Sequence, residues 1–508
     1  MKKIGLIPLF IISVLLLAAC GTHKSAVGVK KPGKEKPGAH VDTLGTEEPA
    51  VRFPDKDLRA VWIATIGGLD WPRKRYGEEK QKALYRQYLD TLQRLNINAV
   101  FFQVRPRADA FYKSEYEPWS MYLTWRRDTD PGYDVLRWLI DETHGRGMAF
   151  HAWMNPYRVG TRKGRRDKFA PLDKRIPKSL VKDYANVRIY NPAMPETRQR
   201  VCDVVRDLLT RYDVDGIHFD DYFYPELAKG EKMNDGKEYR KYGRGFANVE
   251  DFRRAMVDSL VFSVNRTVKE VNKNVVFSIS PQGNYQNNYC TMYADVAKWS
   301  RLGWCDIVIP QLYWSTEKYF PERLRWFADS CAQRSKLAIG YALYRFDGKS
   351  KDPYFRTTND LAEQFRLAYD NKNVSGGVLY SAHWLLDNPM NINAVIARRF
   401  SRLALLPYLG QDVDDKPEAP SLLSQVPKSQ GKGSAGKASA KDACTIKLEW
   451  KPVQGCYYAV YHTAEGRNDA ELVAITYDSS VTVQGGGRYY VSAVRRGDNA
   501  ESEPVRAY

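Results

Sequence analysis

The feature that most constrains this chain is a repeat of form rather than of letters. From Arg59 onward a short apolar run is followed by a polar or aromatic terminus and then by a segment with helical spacing, and this unit recurs eight times. The runs are Ala60–Ala64, Ala99–Val104, Met148–Trp153, Gly216–Phe219, Val275–Ile279, Ile307–Leu312, Leu337–Ala342 and Gly377–Tyr380. Leu84, Tyr88, Leu92 and Leu95 fall at helical spacing between the first two. Val135, Leu136, Leu139 and Ile140 do so near the third, and Val201, Val204, Val205, Leu208 and Leu209 before the fourth. Near-continuous apolar strands alternating with amphipathic helices predict a parallel sheet with helices on its outer face. Eight such units predict an α/β chain built on a closed (β/α)8 barrel over residues 52–407. An open doubly wound sheet is the competing fold, but no Gly-x-Gly-x-x-Gly follows the first run, and eight units suit closure.

Beyond the barrel the composition shifts. Residues 408–441 are rich in Pro, Ser, Gly and Lys, with Gly431–Gly436 at the centre, and read as a flexible linker. From 442 to 508 short strands return at even spacing: Cys444–Trp450, Tyr457–His462, Leu472–Thr476, Val481–Gln484 and Arg488–Val494. Trp450 on an early strand, with Tyr489–Val494 later, resembles a fibronectin type III module, a small all-β sandwich. About 67 residues is short for one, so a strand is missing from this reading.

The other end supplies an address. Lys2 and Lys3 precede the apolar run Ile4–Ala18, too short to span a bilayer, and Leu17-Ala18-Ala19-Cys20 follows. Residues 1–19 read as a signal peptide whose ending resembles a bacterial lipobox. That resemblance implies lipidation of Cys20, a membrane-anchored lipoprotein at the periplasmic or cell surface, and residues 20–51 as a tether. The net charge of +18 favours anionic partners, and an exported chain meets glycan rather than nucleic acid. The remaining cysteines, Cys202, Cys290, Cys305, Cys331, Cys444 and Cys456, form no Cys-x-x-Cys; a Cys444–Cys456 pair and two free thiols are both open.

In a closed barrel the strand C-termini share one mouth, so what stands there is informative. The ends carry Gln103 and Arg105; Trp153, Asn155 and Tyr157; His218, Asp220, Asp221 and Tyr222; Gln311, Tyr313 and Trp314; Tyr341; His383 and Trp384. Aromatic faces stack on the C–H faces of sugar rings, and amide, guanidinium and imidazole groups bond hydroxyls and acetamides. This set is expected to bind carbohydrate. Adjacent Asp220 and Asp221 repel one another and lose solvation at an apolar strand end, which raises a carboxyl pKa toward the range of a general acid. A salt bridge to Arg105 is the structural alternative. Strand alternation places Asp220 and Asp221 on opposite faces, so both act only if the strand bends there. The scattered histidines predict no metal site and no cofactor, although His151, His218 and His383 could converge in the mouth.

The segment Asp215–Pro225, with Arg59–Ala64, Gln103-Val104-Arg105 and Pro310–Trp314, resembles glycosyl-hydrolase-like family 10, a bacterial (β/α)8 group with lipoprotein members. The resemblance spans residues 53–406 and implies a glycosidase barrel. The same segment is similar to the Asp-Gly-x-Asp-x-Asp-x-Glu signature of family 18 chitinases, but His218 replaces the middle Asp and Tyr222 the proton-donating Glu. An adjacent Asp pair is instead similar to barrels that cleave N-acetylhexosamines with help from the substrate acetamide. That similarity implies Asp221 as acid/base and Asp220 as the group that orients the acetamide or shares the proton, with the reverse assignment open. Asp70, Asp109, Glu226 and Asp347 are rival second carboxylates on loops. Arg158, Arg162, Lys163, Arg165, Arg166 and Lys168 form a basic run that fits either an acidic glycan of peptidoglycan type or a solvated loop. The expectation is a glycosidase on envelope or extracellular polysaccharide. The alternatives are a non-catalytic glycan-binding barrel and a glycosidase on neutral or α-linked glycans.

Overall fold

The computed structural model describes residues 50–162, 167–410, 412, 414–427 and 445–508. The signal segment, Cys20, most of the tether, Lys163, Arg165, Arg166, Gly431–Gly436 and Cys444 lie outside the described residues.

Eight parallel strands close into a barrel: β1 (Leu58–Ile63), β2 (Ala99–Arg105), β3 (Ala149–Met154), β4 (Gly216–Phe219), β5 (Val276–Ile279), β6 (Ile307–Val308), β7 (Lys336–Ala342) and β8 (Val374–Tyr380). Each is followed by a helix: α1 (Glu78–Arg94), α2 (Val135–His144), α3 (Pro195–Leu209), α4 (Val249–Val271), α5 (Val296–Leu302), α6 (Phe320–Cys331), α7 (Asn359–Tyr369) and α8 (Ile392–Arg399). Each strand pairs with the next, and β1 pairs with β8, in register Trp62 opposite Phe101 on one side and Tyr380 on the other.

Strand alternation sorts the side chains into two cores. Val61, Ile63, Val100, Phe102 and Phe150 pack outward against the helices. Leu58, Ala60, Trp62, Ala99, Phe101, Ala149 and Trp153 fill the lumen. Two glycines make room for that filling. A Cβ on Gly216 would stand 2.2 Å from His151 Nδ1, and one on Gly340 would stand 3.0 Å from the Trp62 ring. His151 therefore sits low in the barrel beside Gly216 and Asp215, not in the mouth, and burial pulls its imidazole down to about 4. A meeting of all three histidines in the mouth, which the sequence left open, is not built: His151 lies two residues below Trp153 on the same strand.

The connection after β3 holds an antiparallel sheet, Arg158–Thr161, Val187–Tyr190 and Val181–Asp183, where the sequence reads as a basic loop. Arg162 is tied down there, donating to Ala185 O (2.7 Å) and lying over Phe169.

The C-terminal part is all β: β9 (Leu422–Pro427), β10 (Thr445–Trp450), β11 (Cys456–Thr463), β12 (Glu471–Thr476), β13 (Ser480–Gln484), β14 (Arg488–Arg495) and β15 (Val505–Arg506). They form two antiparallel sheets, β9-β10-β13 and β12-β11-β14-β15. Strand β9 lies inside the stretch expected to be linker. Its backbone pairs with β10 from Leu422 opposite Trp450 to Pro427 opposite Ile446.

The four-stranded sheet packs on both faces. Tyr458, Val460, Tyr489 and Val491 meet Ile446, Leu448 and Trp450 of the other sheet. Tyr457, Ala459, Tyr461, Leu472 and Val494 pack with Leu405 under the barrel. The module thus covers the N-terminal ends of the barrel strands, opposite the mouth. Asp215, just before β4, anchors the junction: it accepts from His144 Nε2 (2.7 Å), Phe150 N (2.7 Å) and Arg496 Nε (2.9 Å). Burial acts to raise the Asp215 carboxyl, but His144 and Arg496 outweigh it and hold it well below the usual range.

Candidate active site

Strand β4 ends at Phe219, so Asp220 and Asp221 stand beyond the ladder and the strict two-face alternation no longer separates them. Both are buried, at 3% and 7% exposure. Asp220 is gripped from β3. Trp153 Nε1 donates to its Oδ2 (3.0 Å), Asn155 Nδ2 donates to Oδ1 (3.1 Å), and Tyr222 N also reaches Oδ1 (3.4 Å). Asn155 is itself fixed, because its Oδ1 accepts from Arg158 N (2.8 Å). Asp221 turns the other way and accepts from Gln311 Nε2 (3.0 Å), whose second hydrogen goes to Ser280 O (3.1 Å). The two acids are therefore held by opposite walls of the mouth.

Burial, and next the Asp221 charge, push the Asp220 carboxyl up to about 7; burial also raises Asp221. The opposing charge is Arg158, whose guanidinium lies 3.6 Å over the half-exposed Tyr222 ring and lowers both acids. Two carboxyls so coupled titrate as a unit and retain a proton near neutrality. That is the condition a general acid needs.

Beneath the pair the lumen is polar but satisfied. Trp62 Nε1, which can only donate, points at His218 Nε2 (3.0 Å), so the His218 proton sits on Nδ1 and is donated to Ser278 Oγ (2.8 Å). Burial holds this imidazole neutral, far below its ordinary titration range. His218 thus supports the floor of the site through Trp62 and Ser278.

An aromatic wall faces the acids from the other side. Tyr313 stacks on Tyr380 at 6.0 Å, and Tyr344 meets both edge-on at 5.9 and 6.1 Å. Trp314 carries the Arg323 guanidinium on its ring at 3.9 Å. At the seam between β8 and β1, His383 bonds through Nδ1 to Asp70, which is fully buried and also accepts from Ser381 Oγ (2.9 Å) and Ala64 N (2.6 Å). Trp384 is half-buried against the His383 ring at 4.6 Å.

Four of the residues expected at the mouth are placed otherwise. Gln103 is buried and spends its carbonyl oxygen on Thr65 N (3.0 Å) and Ile66 N (2.9 Å), pinning the loop after β1. Arg105 is 1% exposed and forked on Glu117 at 2.7 and 2.6 Å, so its guanidinium is committed away from the acid pair. Tyr157 and Tyr341 are buried in the outer core, Tyr341 packing on Phe320 and Phe365. Tyr341 has the outward parity of β7, a signal that could have excluded it; Tyr344 and Tyr380 take the position it was expected to hold. Of the rival carboxylates, Asp70 is sealed under His383, Glu226 accepts from Asn287 Nδ2 (2.8 Å), and Asp347 accepts from Lys349 N (2.8 Å). Asp109 lines a separate cavity.

The chain belongs to the glycosyl hydrolase-like 10 family, whose profile matches residues 57–355. Glycosyl hydrolase YngK of Bacillus subtilis (strain 168) is 34% identical over 443 residues, covering 83% of this chain and 85% of that protein. Glycosyl hydrolase DigH of Escherichia coli (strain K12) is 33% identical over 420 residues, covering 75% of this chain and 93% of that protein. Among solved structures, the PgaB (BpsB) glycoside hydrolase domain from Bordetella bronchiseptica aligns at 12% identity with a TM-score of 0.44, over 68% of this chain and 98% of that domain.

Proposed function

We propose that this protein is a glycoside hydrolase acting on envelope or extracellular polysaccharide, with a peptidoglycan-type glycan containing N-acetylhexosamine as the substrate class. The observation that carries the reading is the buried Asp220–Asp221 pair, held from opposite walls and retaining a proton near neutral pH. Asp220, gripped by Trp153, Asn155 and the Tyr222 amide, suits orientation of the 2-acetamido group. Asp221, held by Gln311, suits proton transfer. In the first step the acetamide oxygen attacks the anomeric carbon, the glycosidic C–O bond breaks, and Asp221 protonates the departing oxygen. Water then opens the resulting oxazolinium ion at the anomeric carbon, returning its proton to Asp221. Trp153, Tyr222, Tyr313, Trp314 and Trp384 supply stacking surfaces, and Asn155, Gln311 and His383 supply hydrogen bonds. Arg158 is the cation placed to meet an acidic substituent.

The names of YngK and DigH support the hydrolase class. We place the protein at the cell envelope, tethered through lipidated Cys20, with the barrel over residues 52–407. The strand order of the C-terminal sheets supports a fibronectin type III-like module.

The test is release of reducing ends from a panel of purified glycans, peptidoglycan among them. Asp220→Asn and Asp221→Asn are each expected to lower turnover by roughly 10²-fold or more. Near-normal turnover in both ends the proposal. Binding of glycan by the wild type with no product from any of them leaves a non-catalytic glycan-binding barrel.

A further inference from the structure

The loop after β2 and the small sheet after β3 enclose a second cavity, of about 540 Å³. Both segments leave strand C-termini, so the cavity lies on the catalytic face of the barrel. It is lined by neither Asp220 nor Asp221, yet its wall begins one residue past Arg158, at Val159 and Gly160. Its volume falls within the roughly 300–1,000 Å³ of small-ligand sites.

The lining has the chemistry of a sugar site. Half-buried Trp119 provides a flat apolar surface for ring C–H groups. Beside it Asp109 Oδ1 and Arg107 Nε are buried without hydrogen-bond partners, although buried polar atoms are ordinarily paired. The rest of the Arg107 fork is fixed, on Tyr122 Oη (3.1 Å) and Thr161 Oγ1 (3.0 Å). One open acceptor and one open donor next to an indole match neighbouring hydroxyls of a pyranose ring. Most other ionic groups of the lining are engaged already, and Lys174 adds a further cation to it. Asp128 and Asp173 pair with Arg175, Arg127 donates to Pro171 O (2.7 Å), and Arg188 forks on Asp183.

We propose that this cavity is a second saccharide site, holding a pyranose unit of a chain whose scissile bond lies at the acid pair. The second half of that statement rests on the glycosidase reading. At about 3.3 Å per residue, Arg158 and Thr161 are roughly 10 Å apart, a distance that a few linked sugar rings span.

The full chain carrying Asp221→Asn, chosen to slow turnover during the titration, is titrated calorimetrically with chitotetraose, cellotetraose and maltotetraose. At least one is expected to bind, and Trp119→Ala and Asp109→Asn are each expected to raise its Kd by about tenfold or more. Met121→Trp, an exposed position on the cavity rim, is the second blocking variant, with its thermal midpoint measured to show that the fold is kept. Binding of none of the three, or unchanged binding in the variants, overturns the site. If the variants lose binding while the wild type releases no reducing ends, the site stands and the glycosidase reading falls. If the wild type cuts glycan with a KM that Trp119→Ala and Met121→Trp leave unchanged, the site falls and the glycosidase reading stands.

Discussion

Asp220 lies where burial and a neighbouring acid act in the same direction, and the consequence is measurable. Its carboxyl titrates at about 7 in the fold against roughly 3.9 in an unfolded chain. Between these values the folded state binds a proton that the unfolded state does not, so stability falls as pH rises from about 4 to 7 and is level above. Asp220→Asn removes this term. The difference in Tm between variant and wild type is therefore expected to move in the variant's favour from pH 4 to pH 7, by thermal melts at each pH. Arg158 acts oppositely, lowering both acids. Arg158→Gln is expected to shift the alkaline limb of the activity profile to higher pH, and an unmoved limb removes Arg158 from the electrostatics of the pair. At this scale the placement of the acids, Trp153, Asn155 and Gln311 around one opening was legible because strand C-termini in a closed barrel share one mouth. Arg105 and Tyr157 were not, since no linear pattern shows that Glu117 captures one or that the outer core takes the other.

Individual strands and turns set how closely groups in the barrel can approach. Gly216 opens β4 at the level where His151 crosses the lumen, and any side chain there meets the ring. Gly216→Ala is expected to cost about 1–3 kcal/mol by overpacking, read from urea unfolding. One amide holds two N–H groups of the loop after β1: Gln103→Leu orphans those of Thr65 and Ile66, and each is expected to cost about 1–3 kcal/mol in the same assay. Apolar strand periodicity made all eight barrel strands readable. Strand β9 was not, because Pro- and Ser-rich flanks present it as linker and its pairing to β10 spans a long sequence gap. Nor was the exact role of β11, whose run Tyr457–Tyr461 is buried throughout, since it packs against a sheet on one face and the barrel on the other.

Within the unit Ala50–Tyr508 the barrel is open at one end and covered at the other. The C-terminal module lies under the N-terminal strand ends, where stability rather than catalysis is housed. Arg496 is one polar link, reaching Asp215 and Asp213 from the module. Asp215 is held below its ordinary range, so the stability it contributes is present above about pH 4 and lost as pH falls through the lowered value. Arg496→Ala uncovers this largely buried carboxylate and is expected to cost roughly 3 kcal/mol at pH 7, less in acid. Reducing-end release per folded molecule is expected to be unchanged. A loss of turnover without a loss of stability would instead connect the base to the mouth.

What the chain determined by itself was its architecture and the chemical character of its mouth. Both are written in local periodicity, and a parallel strand buried on both faces has few other ways to satisfy its backbone and its side chains. Tertiary structure decided which polar groups face the opening. Whether a side chain beyond a strand end turns to the lumen, the helices or a neighbouring loop depends on partners such as Glu117 for Arg105 and Gln311 for Asp221, which stand 12 and 90 positions away. The same holds for the second cavity: its two walls come from separate connections, and the pairing of β2 with β3 brings Asp109 and Thr161 to one space.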